Sequence, residues 1–478
     1  MKGAGRVYLL LIAAATSSAG AQGLGLRPVA ITHVNVVDVS AGRVVADRTV
    51  VLQGNRIQSV QPAASAKYAD GARVIDGQGK FLIPGLWDMH VHATTPGLDR
   101  LFLPLLVVQG VTGVREMFSH VEWMDSSRAL VQRGDIMGPR VIGSGHILDG
   151  KPAIWPGSVG VGSADEARRA VDSLLDKGAA FIKVYSRLTR DEFFAVADEA
   201  KKRHAAFAGH VPSLVGAGEA SDAGMLTIEH LQQIAQACSS REDELLAQYT
   251  AAVASPKGWD SAGVVGRAQA TTLVDTYSAP RCTALAKRFM KNGTWMVPTL
   301  AVLHSVAYLD DTTLAQDPRL KYVPKMFAGM WNPKNDFRFR MLTPADWAAR
   351  KRVYERQLEI AKLLHATGVR FLPGTDLSNP YIYPGFSLHD ELASFVGIGF
   401  TPAEALRSAT LEPARFFHAT DSLGTVAPGK IADLVLLEAN PLLDIRNTTR
   451  IHTVIANGRV VSPEDREAVL SKAAQGPR

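Results

Sequence analysis

Two histidines one residue apart, His90 and His92, close the stretch Phe81 to His92, FLIPGLWDMHVH. In a β-strand the side chains alternate faces with a period of two, so both imidazoles project from one face at the strand's C-terminal end. Two imidazoles side by side make half of a metal site. Thirteen histidines in 478 residues also produce such pairs by chance, so the meaning of this one rests on residues further along. Lys183 lies inside the apolar segment FIKVY, His210 ends AAFAGH, His230 ends LTIEH, and Asp376 follows VRFLPGT. Singly, each has an ordinary reading: a hydrogen-bonded histidine, a lysine reaching outward past apolar neighbours, an aspartate capping a turn. Jointly, six such residues at matching ends of strand-like segments call for one common cause, and metal-assisted chemistry supplies it.

The elements that must position them alternate between strand-like and helix-like segments from about Pro84 to about Phe417, the pattern of βα units on a parallel sheet. The expected strands are Gly85 to His92, Val111 to Arg115, Arg140 to Gly145, Ala180 to Tyr185, Ala206 to His210, Leu226 to His230, Thr294 to Thr299 and Val369 to Thr375. Eight strands are what a closed (β/α)₈ TIM barrel requires, and C-terminal strand ends converge on its active face. Ser163 with Glu166, Thr189 with Glu192, and Thr401-Pro402 with Glu404 mark helix starts. Two long connections, Leu231 to Gly293 and Ala301 to about Leu342, read as walls or lids over that face. The chain ends are β-rich: Val29 to Val39, Thr49 to Val60 with a turn at Gly54-Asn55, Ala432 to Glu438, and Ile451 to Val461 with an Asn457-Gly458 turn. The expected α/β organisation is therefore a barrel over 84–420 and a small β-sandwich domain built from 22–83 and 421–478.

Hydrophobic content of 46% with 21% charged residues suits a globular enzyme. The net charge of +6 is dispersed, with no basic block or basic helix, so neither nucleic acid nor a membrane surface is expected as a partner. A homo-oligomer is compatible with the sequence. Lys2 and Arg6 precede the apolar run Tyr8 to Ala15, and Ala19-Gly20-Ala21 forms a small-residue cleavage site. Residues 1–21 thus read as a signal peptide, too short to span a bilayer, and the mature chain is expected to be periplasmic or secreted. Cys238 and Cys282, the two cysteines, either pair or stay as buried thiols.

With PGLWDMHVH, Lys183, His210, His230, PGTD ending at Asp376, and the tail SLGTVAPGKIADLVLLEANPLLDI in this order, the chain resembles the amidohydrolase superfamily of metal-dependent hydrolases. The resemblance implies that His90, His92 and Asp376 hold one divalent ion and His210 and His230 the other. Lys183, carboxylated to a carbamate, would bridge them. Burial and nearby positive charge favour the neutral amine that carboxylation needs. Imidazole and carboxylate donors suit Zn²⁺ ahead of Mn²⁺ or Co²⁺. The expected reaction is hydrolysis of an amide by metal-activated water, with Asp376 as general acid and base.

The KVY sequence, the GSGH segment ending at His146, and the tail resemble imidazolonepropionase-like enzymes and Xaa-Pro or Xaa-Arg dipeptidases. Some similar enzymes cleave N-acylated aromatic amino acids, including the ochratoxin amide. A small-molecule dipeptide or N-acyl amino acid, an amide next to a free carboxylate, is thus the expected substrate, with Tyr185, His146 and Arg115 as candidates to bind it. The segment GTDLSNPYIYPG and the loop after His230 depart from the related dipeptidases and shape the pocket. Two other readings compete. A mononuclear deaminase or cyclic-amide hydrolase would leave Lys183 redundant, and a non-enzymatic binding module would be expected to have lost ligands that are all present.

Overall fold

The computed structural model describes residues 27–476, so the expected signal peptide lies outside the described residues. Near the N-terminus, β1 (Val29–Asp38) is rich in Val and Ile and pairs antiparallel with β2 (Arg43–Gln53), which turns at Gly54-Asn55 into β3 (Arg56–Pro62). The other edge of β1 pairs first with β4 (Arg73–Asp76) and then with β5 (Phe81–Pro84), both parallel. Irregular register in β1 between Ile31 and Val36 lets one strand serve both partners.

Gly85 then sends the chain into the barrel. Its first three strands, β6 (Leu86–Val91), β7 (Val111–Glu116) and β8 (Arg140–Gly143), run parallel. An excursion follows, made of β9 (Ile147–Gly150) and β10 (Val159–Val161). The barrel resumes with β11 (Ile182–Val184), β12 (Phe207–Gly209), β13 (Thr227–Glu229) and β14 (Trp295–Val297), again parallel. A bond from Ala180 N–H to the Gly143 carbonyl joins the two groups.

The eighth strand is a correction. Val369 to Thr375 runs where a strand should but makes only a single bridge, Phe371 to Met296. Pro373 has no N–H to donate. At Gly374 a Cβ would stand 2.7 Å from His90 Cβ and from Val297 Cγ1, so backbone replaces side chain at the tightest point. The segment still closes the barrel, because Met89 N–H donates to Pro373 O and Asp376 N–H to His90 O, each at 2.8 Å.

After the barrel, β15 (Leu434–Leu437), β16 (Ile451–Ala456) and β17 (Arg459–Val461) return to the terminal sheet. β15 pairs antiparallel with β5, so strands from both chain ends form one eight-stranded unit. Its inner faces share a core of Ile31, Val34, Leu52, Ile57, Leu82, Leu434 and Ile455. The architecture is thus a TIM barrel with a β-sandwich domain from both ends. Asn457 and Gly458, both at positive φ, make the β16–β17 turn, as the Asn-Gly pair predicts.

Helices surround the barrel. Thr189 and Glu192, and Thr401 and Glu404, form reciprocal capping boxes. Ser163 caps its helix too, but the Glu166 carboxylate turns to Lys151 and Gly162 N–H instead of reciprocating. The connection after β13 consists of four helices, the first and last linked by a Cys238–Cys282 disulfide. Among the described residues no helix is long and apolar enough to cross a membrane.

Candidate functional site

His90, with no exposed surface, is the next-to-last residue of β6, and His92 follows the strand's end at Val91. Asp376 lies against both: its Oδ1 is 3.0 Å from His92 Nε2 and 3.4 Å from His90 Nε2. Lys183, from the middle of β11 and 1% exposed, directs Nζ to His90 Nε2 at 3.2 Å. The His230 ring, after β13, is 4.7 Å from that of His90 and 4.8 Å from that of His210, which follows β12. His90, His230 and Asp376 offer donor atoms all within 4.8 Å of one another. The barrel therefore brings together His90, His92, Lys183, His210, His230 and Asp376.

What surrounds these rings fixes how they present themselves. His90 Nδ1 donates to Glu229 Oε2 at 2.8 Å, His210 Nδ1 is 2.8 Å from Ser186 Oγ, and His230 Nδ1 is 2.7 Å from Thr299 Oγ1. A ring anchored at Nδ1 keeps its Nε2 lone pair for another partner, the arrangement typical of metal-binding imidazoles. Burial holds His90 and His210 well below the usual histidine range, hence neutral and able to donate a lone pair. Burial also lowers the Lys183 amine to about 8, against the opposing pull of Glu229 and Asp376. Four imidazoles, an anionic carboxylate and an amine of lowered proton affinity fit a divalent-cation site.

His230, Thr299 and Asp376 adopt φ of 58°, 52° and 60°, conformations that non-glycine residues rarely take. Such geometry persists where surrounding bonds over-determine it; here Asp376 N–H is held by His90 O and Thr299 Oγ1 by His230.

Three groups absent from the sequence reading brace this floor. Glu229 accepts from His90 and from Arg115 Nη2. Glu116 accepts from the backbone N–H groups of Ala93 and Thr94, with Oε1 3.6 Å from His92 Nδ1. Asp88 accepts from His90 N–H, Thr375 N–H and Thr375 Oγ–H, tying β6 to the segment that delivers Asp376. Their signal was present: each is a carboxylate within an apolar strand, and a buried charge demands partners.

The three expected substrate contacts divide. Tyr185 lies at the cluster, stacked on His210 with ring centroids 4.0 Å apart, its hydroxyl accepting from Trp155 Nε1 at 2.8 Å. Arg115 is a correction. It is 1% exposed, and its donors go to Met89 O, Thr227 Oγ1 and Glu229 Oε1, so it is committed beneath the histidines and has no reach for a substrate carboxylate. His146 is a second correction: it packs against His120 at 4.3 Å between ring centroids, and its Nδ1 donates to Gly157 O. The β9–β10 excursion turns it away from the central group.

Around the mouth stand aromatic and arginine side chains. Phe337 packs edge-on against Trp155 at 5.4 Å, and the Arg338 guanidinium lies 5.4 Å from the Trp155 ring. Arg338 is held by Asp336 and Asn379. Tyr381 and Tyr383 pack with Trp331.

Known proteins with this arrangement set it in context. A Xaa-Pro dipeptidase solved with methionine in its active site superimposes with a TM-score of 0.65 at 19% identity, covering 91% of this chain and 100% of that one. The ochratoxinase of A. niger does so with a TM-score of 0.63 at 18% identity, covering 91% and 96%. At these identities the likeness is one of fold. An adenine deaminase of Mesorhizobium japonicum is 36% identical over 56 residues, which is 12% of this chain and 9% of that protein, so the chain spans about a tenth of the length of such curated relatives. Residues 81–461 match the amidohydrolase family. On that match, which takes in the whole barrel and the returning strands, the chain belongs to the amidohydrolase family.

Proposed function

We propose that the protein is an exported, binuclear metal-dependent amidohydrolase that cleaves the amide or peptide bond of a dipeptide or N-acyl amino acid, ochratoxin-like amides included. The observation that carries this reading is the anchoring of His90, His210 and His230 through Nδ1 around a buried lysine and carboxylate. His90, His92 and Asp376 would hold one ion and His210 and His230 the other, with carboxylated Lys183 between them. Zinc is the favoured metal. When bound, the ions supply Lewis acidity and a water of lowered pKa.

The remaining work falls to the chain. Lys183, with its proton affinity lowered to about 8 by burial, is in part a free amine near neutral pH; its nitrogen adds to carbon dioxide and releases a proton, leaving a carbamate anion. Asp376, within reach of both His90 and His92, takes the proton of the attacking water and passes it to the leaving nitrogen. Tyr185 is held protonated by burial. Because Trp155 donates to its oxygen, the phenolic proton is free for the substrate carbonyl. Support for the substrate class comes from the fold likeness to a dipeptidase and an ochratoxinase. The Cys238–Cys282 disulfide supports an oxidising, exported location.

The test is a panel of dipeptides and N-acyl amino acids, with adenine and cyclic amides alongside, offered to Zn²⁺-loaded protein. Release of a free amino acid, slowed about 10²-fold or more in Asp376→Asn, is expected. Turnover confined to adenine or cyclic amides would replace this reading with the mononuclear one.

A further inference from the structure

The loop after β7 and the turn after β8 carry a second group of donors that the proposed chemistry does not use. His120, Glu122 and His146 offer one ligand atom each, all within 4.8 Å of one another. His146 Nδ1 donates to Gly157 O at 2.7 Å. That bond occupies Nδ1 and leaves Nε2 as the ring nitrogen available to another partner, the orientation seen in metal-bound imidazoles. The His120 ring is clamped from one side by Trp123, stacked at 3.8 Å and 18°. Glu122 stands in the first turn of the helix Val121–Arg133, near both imidazoles and the Lys177 ammonium. His120, His146, Gly157 and Lys177 line one cleft of about 250 Å³, open to solvent.

We propose that His120, Glu122 and His146 form a peripheral site for a divalent transition ion of the zinc type, completed by water. Two imidazoles and one carboxylate are a sufficient protein ligand set for such an ion. Tetrahedral ligands at about 2.1 Å stand about 3.4 Å apart, so the donors need to close modestly, and Glu122, with an exposed, flexible side chain, can do so by rotation. The ion ties two pieces of the rim together. Phe118, two residues before His120, packs edge-on against His92 with ring centroids 6.2 Å apart. Gly157, held by His146, belongs to the same excursion as Trp155, which holds Tyr185.

The site is tested by zinc content and affinity, independently of what the central cluster holds. After equilibration with Zn²⁺ and desalting, wild-type protein is expected to retain one more ion per chain than His120→Gln/His146→Gln protein. Equal content in the two overturns the proposal. Glu122→Gln, at an exposed position, is expected to weaken that one ion about tenfold or more; unchanged affinity contradicts the ligand set. Ni²⁺ provides an optical check, since an ion beside the His120–Trp123 stack quenches Trp123 fluorescence. The quench should vanish in Trp123→Phe and in the double histidine variant, and its persistence in the latter also overturns the proposal.

Discussion

His90 and Glu229, on the floor of the site, expose none of their side-chain surface, whereas Phe337 on the rim exposes 55%. The floor is built from strand ends whose backbone is fixed by the barrel, and its polar groups are matched pairwise: the Arg115 guanidinium with Glu229, Glu229 with the neutral His90 ring, Asp376 with His92. The rim is built from irregular segments around Trp155, Phe337 and Tyr381, held by stacking and by arginines over aromatic faces. Reactive groups need positions fixed to fractions of an ångström, which strands supply. Substrate selection tolerates looser elements that vary freely. Floor and rim therefore divide chemistry from selection, and substitutions in each should fail differently.

The largest effect is expected from Asp376→Asn, with kcat falling about 10²- to 10⁴-fold in steady-state assays on the substrate the panel identifies; turnover near wild type would show that proton transfer lies elsewhere. Arg115→Met attacks the floor's stability, because it strands the Glu229 carboxylate without a cation. Urea unfolding should show a loss of about 3–5 kcal/mol, partly restored when Glu229→Gln is added. An additive double variant would mean that the two charges do not act as a pair.

His389 separates stability from chemistry, since its ring bonds to Gln109 O and Thr448 rather than to any floor residue. Burial lowers it to about 4, with the Gln109 contact opposing, against about 6.5 for an unfolded histidine. Between those values the unfolded chain binds the extra proton, so stability is full above about pH 6.5 and declines as pH falls toward 4. His389→Gln should flatten that decline in denaturant titrations at several pH values; an unchanged slope would assign the acid sensitivity to other groups. The smallest effect belongs to the rim. Trp155→Phe removes one hydrogen bond to Tyr185 and should change kcat/KM about two- to tenfold with metal content unaltered, and a loss of metal would erase the boundary between floor and rim.

The same boundary explains what could be read from the sequence. Strand alternation and apolar runs ending in His or Asp marked the floor, because strand-end position in a barrel translates directly into spatial convergence. The shared terminal sheet was legible for a similar reason, in β-branched runs and an Asn-Gly turn. Arg115 was misread because a charged residue at a strand end can face the mouth or the interior, and its partner Glu229 lies 114 residues away. His146 was misread because two short strands, Ile147–Gly150 and Val159–Val161, intervene after it and rotate it outward. Val369 to Thr375 carried the strand pattern, yet Pro373 has no N–H to donate and the segment pairs through a single bridge. The rim was the least legible, since Trp155, Phe337 and Tyr381 meet through loops with no periodicity to align them.

The central claim is a two-ion floor bridged by Lys183, and the most direct test is elemental analysis of metal per chain in His120→Gln/His146→Gln protein, which isolates the floor, with and without Lys183→Ala. About two divalent ions, falling to about one when Lys183 is removed, is the predicted result. One ion in both proteins, or none after Zn²⁺ is supplied, would contradict it.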